Sequence, residues 1–156
     1  MAADRAARLL AFAVPATLLG GAYIGQYVFH LVPCEMCWWQ RYAHFAALGL
    51  ALLGLARPSL RLLTWLAAIA ILLGGLLGAY HAGVEYGWWE GLTACTSETA
   101  LGDNPLDAIM NAPLIRCDRA QWTLLGISLA GFNFLISVPA GLMVFSLLRR
   151  GQGARP

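Results

Sequence analysis

The chain has no lysine, and only 12% of its 156 residues are charged. Ten arginines against eight acids leave a net charge of +2. The arginines are scattered rather than gathered into a patch, which argues against a nucleic-acid binder. Internal repeats and polar low-complexity stretches are also missing, so a disordered tail is set aside. What fills the chain is apolar: 60% hydrophobic residues and a mean hydropathy of +0.66. That is too greasy and too charge-poor for a soluble enzyme of this length.

Crossing a hydrocarbon core of about 30 Å takes roughly 20 helical residues. Four stretches are long enough: Leu9 to Phe29, about Trp38 to Ala56, Leu62 to about Val84, and Trp122 to Leu148. The expected fold is therefore an all-α membrane protein, a four-transmembrane-helix bundle forming one integral membrane domain over residues 1–156. A cleaved signal peptide is the competing reading of the first stretch. Its uncharged run exceeds the usual apolar core of about 7 to 15 residues, so a span is preferred.

Charge distribution orients the bundle, because arginines collect on the cytoplasmic side. The N-terminus, the turn between spans two and three, and the C-terminus hold Arg5, Arg8, Arg57, Arg61, Arg149, Arg150 and Arg155 against only Asp4. Both termini are expected to be cytoplasmic. The loops at about 30–37 and 85–121, with the residues beside them, carry Arg41, Arg116 and Arg119 against seven acids. They are expected to face the other side, where Cys34, Cys37, Cys95 and Cys117 also lie.

A loop as long as 85–121 is usually functional or disordered. Leu101, Leu106, Ile109, Met110, Leu114 and Ile115 alternate there with Asp103, Asn104, Asp107 and Asn111. Asn104-Pro105 is a plausible start for a short helix on the membrane surface. Gly21 with Gly25, and Gly74 with Gly78, place small residues four apart on spans one and three, as close helix packing requires. Trp38, Trp39, Trp88, Trp89 and Trp122 read as an interfacial aromatic belt. Asn133, Ser128 and Ser137 read as hydrogen-bonding residues between helices.

Cys34-Glu35-Met36-Cys37 is a C-x-x-C at the head of span two, followed at once by Trp38, Trp39, Gln40 and Arg41. If the helix begins near Pro33, Cys34, Cys37 and Arg41 share one face. A helix N-terminus and a guanidinium both favour thiolate over thiol, with Cys37 expected to benefit most. Zinc is one reading of four cysteines, but the second half of a zinc motif is missing, since 21 residues separate Cys95 from Cys117. No metal is expected. Two inert disulfides are another reading, plausible for Cys95 with Cys117. A C-x-x-C ring constrains so little chain that reactivity explains it better than stability. Two dithiol pairs on one face of a membrane bundle suggest an electron relay between a soluble partner and something in the lipid.

The run Pro33-Cys34-Glu35-Met36-Cys37-Trp38-Trp39-Gln40-Arg41, the four spans and the spaced pair in the second outer loop together resemble the disulfide bond formation protein B (DsbB) family. The resemblance covers nearly the whole chain. It implies a thiol:quinone oxidoreductase of the bacterial inner membrane, with its cysteines facing the periplasm. Such an enzyme reoxidises a DsbA-like periplasmic thioredoxin-fold partner and passes the electrons to ubiquinone or menaquinone. A quinone acceptor also suits the energetics. Reoxidising a thiol oxidant near −120 mV with a protein disulfide near −200 mV would be uphill by about 3.7 kcal/mol.

By the same resemblance, Cys95 is attacked by the partner's thiolate and Cys117 is its resolving companion. Cys117 then attacks Cys34, and Cys37 leaves as the thiolate that donates to the quinone. Arg41 stabilises that charge, and His81 stands near the quinone pocket. His30 and His44 receive no role, and the neutral Gln40 argues against an essential proton acceptor at that position. Two alternatives compete. A vitamin K epoxide reductase-like enzyme also sets a C-x-x-C against a loop pair, but there the C-x-x-C comes late in the bundle. A non-enzymatic membrane assembly subunit with structural disulfides would be indifferent to quinone.

Overall fold

The computed structural model describes residues 2–93 and 115–153. Four helices are present among them: α1 (Ala2–Tyr27), α2 (Glu35–Ala56), α3 (Arg61–Glu85) and α4 (Leu129–Gly153). Helices α1, α3 and α4 are long and apolar enough to cross a membrane by length and composition, and α2 is not among them. The first half of α2 carries Glu35, Gln40, Arg41 and His44, which lowers its hydropathy. The described chain is thus that of a multi-pass membrane protein. Leucines such as Leu53, Leu62, Leu73, Leu76 and Leu142 face outward, as a lipid-facing surface requires.

Two boundaries differ from the sequence expectation. Helix α1 begins at Ala2 rather than Leu9, because the Ala- and Arg-rich leader has high helix propensity that an apolar count ignores. The fourth span was expected from Trp122, but α4 begins only at Leu129. Before it, β1 (Thr123–Leu124) pairs antiparallel with β2 (Ile127–Ser128). The connecting Leu125 and Gly126 have φ of 53° and 78°, the pair of positive values that a two-residue hairpin turn of the favoured hand demands. Ser128 then caps α4, its Oγ accepting from the Gly131 N–H at 3.1 Å. The hydroxyl of Tyr86 donates to the Gly126 carbonyl and accepts from the Ser128 N–H, tying the hairpin to the end of α3.

One end of the bundle is closed by small side chains. Ala7, Ala11, Ala47, Ala51, Ala67 and Ala68 surround Ile71, Val144 and Leu148, and alanine lets helices approach closely. At that end Arg61 pairs with Asp4 at 2.8 Å and donates to the Leu148 carbonyl. The arrangement ties the starts of α1 and α3 to α4. The opposite end carries a smaller buried cluster of Cys34, Met36, Val84 and Cys117.

The glycine pairs behave differently from one another. A Cβ at Gly78 would stand 2.9 Å from the Ala130 carbonyl and the Asn133 amide, and one at Gly74 would stand 3.0 Å from the His44 ring. Those two seat helix contacts as expected. Gly21 meets nothing within 4 Å and Gly25 only Leu31 at 3.6 Å, so the span-one pair is not a packing seam. Both glycines border a cavity.

Candidate redox site

Pro33 holds the chain extended ahead of α2, and Cys34 is its N-cap, with φ −77° and ψ 175° and its sulfur accepting from the Cys37 N–H. The helix therefore starts at Glu35, two residues later than a start at Pro33 would give. Cys34 and Cys37 are free thiols whose sulfurs lie 2.8 Å apart. Both precede the apolar run that begins at Trp38. The hydrogen bond between the two sulfurs holds Cys37 below the ordinary thiol value even though burial opposes it. It pushes Cys34 well above that value, and burial adds to the rise. Thiolate is thus favoured at Cys37 over Cys34, the direction expected from sequence, but the leading cause is its neighbour's S–H rather than Arg41. Arg41 acts in the same direction and contributes least.

Arg41 is only 7% exposed. Its guanidinium donates to Gln26 Oε1 at 2.6 Å and to the Ala22 carbonyl at 3.2 Å. It also lies 5.0 Å from the ring centres of both Tyr23 and Trp38. These contacts fix a permanent cation between α1 and α2 rather than leaving it to extend along the helix into water.

Behind the thiols runs a buried polar chain whose direction two backbone carbonyls determine. Gln40 Nε2 donates to the Met36 carbonyl and to His81 Nδ1. Gln40 Oε1 therefore accepts from Asn133 Nδ2, which also donates to the Gly74 carbonyl. Asn133 Oδ1 is left to accept from His44 Nε2 and Ser137 Oγ. Since His81 accepts at Nδ1, its ring proton sits on Nε2. That nitrogen is 3.6 Å from Cys34 Sγ and 3.7 Å from Glu85 Oε1, and the His81 ring also bonds the backbone of Cys117. His81 therefore faces the thiols as a donor, held from behind by an amide.

Cys117 is fully buried and disulfide-bonded. The sulfurs of Cys34 and Cys117 and a ring nitrogen of His81 all lie within 4.8 Å of one another. The structure so brings Cys34, Cys37, Cys117 and His81 into one cluster, with Arg41 one helical turn beyond Cys37. Cys95 and the expected surface helix at Asn104-Pro105 lie outside the described residues. Nearby, Arg116 forms a two-point ion pair with Asp118, and this pairing holds the Asp118 carboxyl below the usual carboxylate range.

A cavity of about 270 Å³ opens beside the thiols, lined among others by Gly21 and Gly25 of α1, Cys37 and Arg41 of α2, His81 of α3 and Phe132 of α4. Most of its wall is apolar side chain, with a cation and a thiol at one end. Cys37, Gln40, Arg41 and His44 are spaced so that they form one stripe of α2 directed inward.

The sequence reading missed Gln40 and His44 as interior partners, and it took Asn133 and Ser128 together. Asn133 does bridge helices, whereas Ser128 is a cap. A signal existed for the first group: Gln40, Arg41 and His44, three polar residues at helical spacing inside a span, cost so much in lipid that they must find partners.

Residues 4–148 match the family described as disulfide bond formation protein DsbB. A disulfide bond formation protein B from Verminephrobacter eiseniae is 35% identical, covering 97% of this chain and 89% of its own length. One from Aromatoleum aromaticum is 32% identical over 96% and 95%. An uncharacterised protein from Rickettsia prowazekii is 28% identical over 77% and 73%. No solved structure matches. A match across nearly the whole length, in a membrane chain whose C-x-x-C meets a third cysteine, places this disulfide oxidoreductase in the DsbB family.

Proposed function

We propose that the protein is a thiol:quinone oxidoreductase of the bacterial inner membrane. In this reading it reoxidises a periplasmic DsbA-like thioredoxin-fold dithiol oxidant and so sustains disulfide formation in secreted proteins. The observation that carries the reading is the placement of Cys117 within 4.8 Å of Cys34 while Cys37 borders an apolar cavity. A dithiol entry point and a lipid-side exit meet there. Helix α2 also crosses the bilayer, as the second of four spans; both termini are cytoplasmic, and the cysteine end faces the periplasm, in one domain.

Cys95 receives the partner's thiolate, and the partner leaves oxidised as Cys95 and Cys117 take up its electron pair. The Cys117 thiolate then attacks Cys34 of an oxidised Cys34–Cys37 pair. One S–S bond forms, one breaks, and Cys37 leaves as thiolate. The lowered thiol value of Cys37 suits a leaving group. His81 Nε2–H steadies the sulfur of Cys34 during the exchange, and Arg41 holds the negative charge that gathers at Cys37.

The cavity fits the head group of a quinone such as ubiquinone or menaquinone, being apolar and flanked by Arg41 and His81. A quinone supplies an acceptor for two electrons and two protons. The reading is tested anaerobically with purified protein in detergent, a water-soluble quinone and a reduced periplasmic thioredoxin-fold protein. Quinone absorbance and partner thiols should fall in equal stoichiometry, and Cys37→Ser should lower the rate by more than about 10³-fold. No quinone loss with wild type would sink the proposal and favour a structural subunit.

A further inference from the structure

Two loops that are remote in sequence must meet for Cys117 to reach Cys34, and the structure shows what ties them. The side-chain amide of Gln121 pairs at both ends with the backbone of Val32. The Val32 N–H donates to Gln121 Oε1 at 3.0 Å, and Gln121 Nε2 donates to the Val32 carbonyl at 2.6 Å. This copies the pairing of one strand residue with another, using a side chain in place of the second backbone. Gln121 lies four residues after Cys117, and Val32 lies two before Cys34. The His81 ring also bonds the Cys117 backbone.

We infer that Gln121 is a positioning residue for exchange between the two loops. It clamps the segment after Cys117 onto the segment before Cys34, and so keeps the two sulfurs within reach. The inference rests on the relay proposed above. Without the clamp, one constraint that holds the Cys117 segment against the Cys34 segment is gone, and the two sulfurs meet less often. With it, the exchange proceeds between groups already aligned. The amide serves this purpose because it offers one donor and one acceptor in a plane, matching the carbonyl and N–H of a single residue. The step itself is neutral in electrons. Cys117 thiolate and the Cys34–Cys37 disulfide give a Cys34–Cys117 disulfide and Cys37 thiolate.

Purified full-length protein with Cys34–Cys37 oxidised and Cys117 reduced, prepared with a limiting small dithiol, is quenched in acid at successive times. Peptide mapping then follows the Cys34–Cys117 species. Each clamp bond is worth a factor of about three to ten, so Gln121→Ala should slow formation of the interloop species by at least about tenfold. Direct quinone reduction by a small dithiol acting on Cys34–Cys37 should be unchanged. Gln121→Glu keeps an acceptor for the Val32 N–H and loses the donor to its carbonyl. It should fall at or below Gln121→Ala, and it decides the matter if the alanine variant does not accumulate. Unchanged interloop kinetics in these variants would overturn the clamp alone, as would equal loss in both assays. Absence of any Cys34–Cys117 species in wild type would overturn the relay, and the clamp with it.

Discussion

The two ends of the bundle are built from the same four helices and solve opposite problems. At the Arg61 end, alanines let the helices close on Ile71, Val144 and Leu148, and the buried Arg61–Asp4 pair joins α1, α3 and α4. At the cysteine end the helices stand apart around a cavity of about 270 Å³. Polar residues there hold one another in a fixed direction without filling the space. Packing stabilises the first end, whereas the second is held open by hydrogen bonds and by loops tied across it. Rigidity at one end is what permits a hollow at the other.

Removing the cation from the closed end should produce the largest loss of stability. Arg61→Ala removes the buried cation that pairs with Asp4 and donates to the Leu148 carbonyl of α4. The expected cost is about 3 kcal/mol, measured by denaturant unfolding in detergent. Quinone reduction per folded molecule should not change. If activity fell in proportion to stability, the two ends would not be separable and the comparison would fail.

The corresponding change at the open end should reverse the pattern. Arg41→Ala removes a charge fixed by Gln26, Ala22 and two aromatic rings. Quinone reduction should fall by about 2 kcal/mol in the barrier, roughly thirtyfold, while exchange between Cys117 and Cys34 falls by less. Steady-state quinone kinetics alongside acid-quenched exchange separate the two. Equal loss in both half-reactions would assign Arg41 to the architecture instead.

How far each end could be read from sequence also differs. The C-x-x-C, its place at the head of a helix and the direction of the shift at Cys37 were all legible, because they depend on residues within one or two turns. The leading cause of that shift was not. Local spacing put Arg41 beside Cys37, and only the tertiary fold reveals that α1 draws the guanidinium aside. The spacing of Gln40, Arg41 and His44 signals buried polar residues that need partners, but not that His81 and Asn133 on two other helices supply them. The hairpin before α4 was hidden for another reason. Thr123, Leu124, Leu125, Ile127 and Ser128 continue the apolar run, and hydropathy alone does not separate a short strand pair from the start of a span.

Alkylation sharpens the description of the open end. A lowered folded value means that Cys37 remains thiolate as pH falls until that lowered value is passed, whereas Cys34 stays protonated until pH rises past its raised one. At neutral pH iodoacetamide should therefore modify Cys37 about tenfold faster than Cys34, as read by peptide mass spectrometry after short exposures. Preference for Cys34 would place the sulfur proton the other way round.

The smallest effect distinguishes a glycine that seats a neighbour from one that borders a hollow. Gly78→Ala forces a methyl to within 2.9 Å of the Ala130 carbonyl and the Asn133 amide. It should cost about 1 kcal/mol as α3 and α4 part. Gly21 meets nothing within 4 Å, so Gly21→Ala should stabilise α1 by about 0.5 kcal/mol through helix propensity alone. Unfolding midpoints of the two variants, measured in one detergent, should move in opposite directions. Should Gly21→Ala destabilise the protein as much as Gly78→Ala, α1 would be packed as tightly at the cysteine end as α3. The open end would then have no room for a ring beside Cys37.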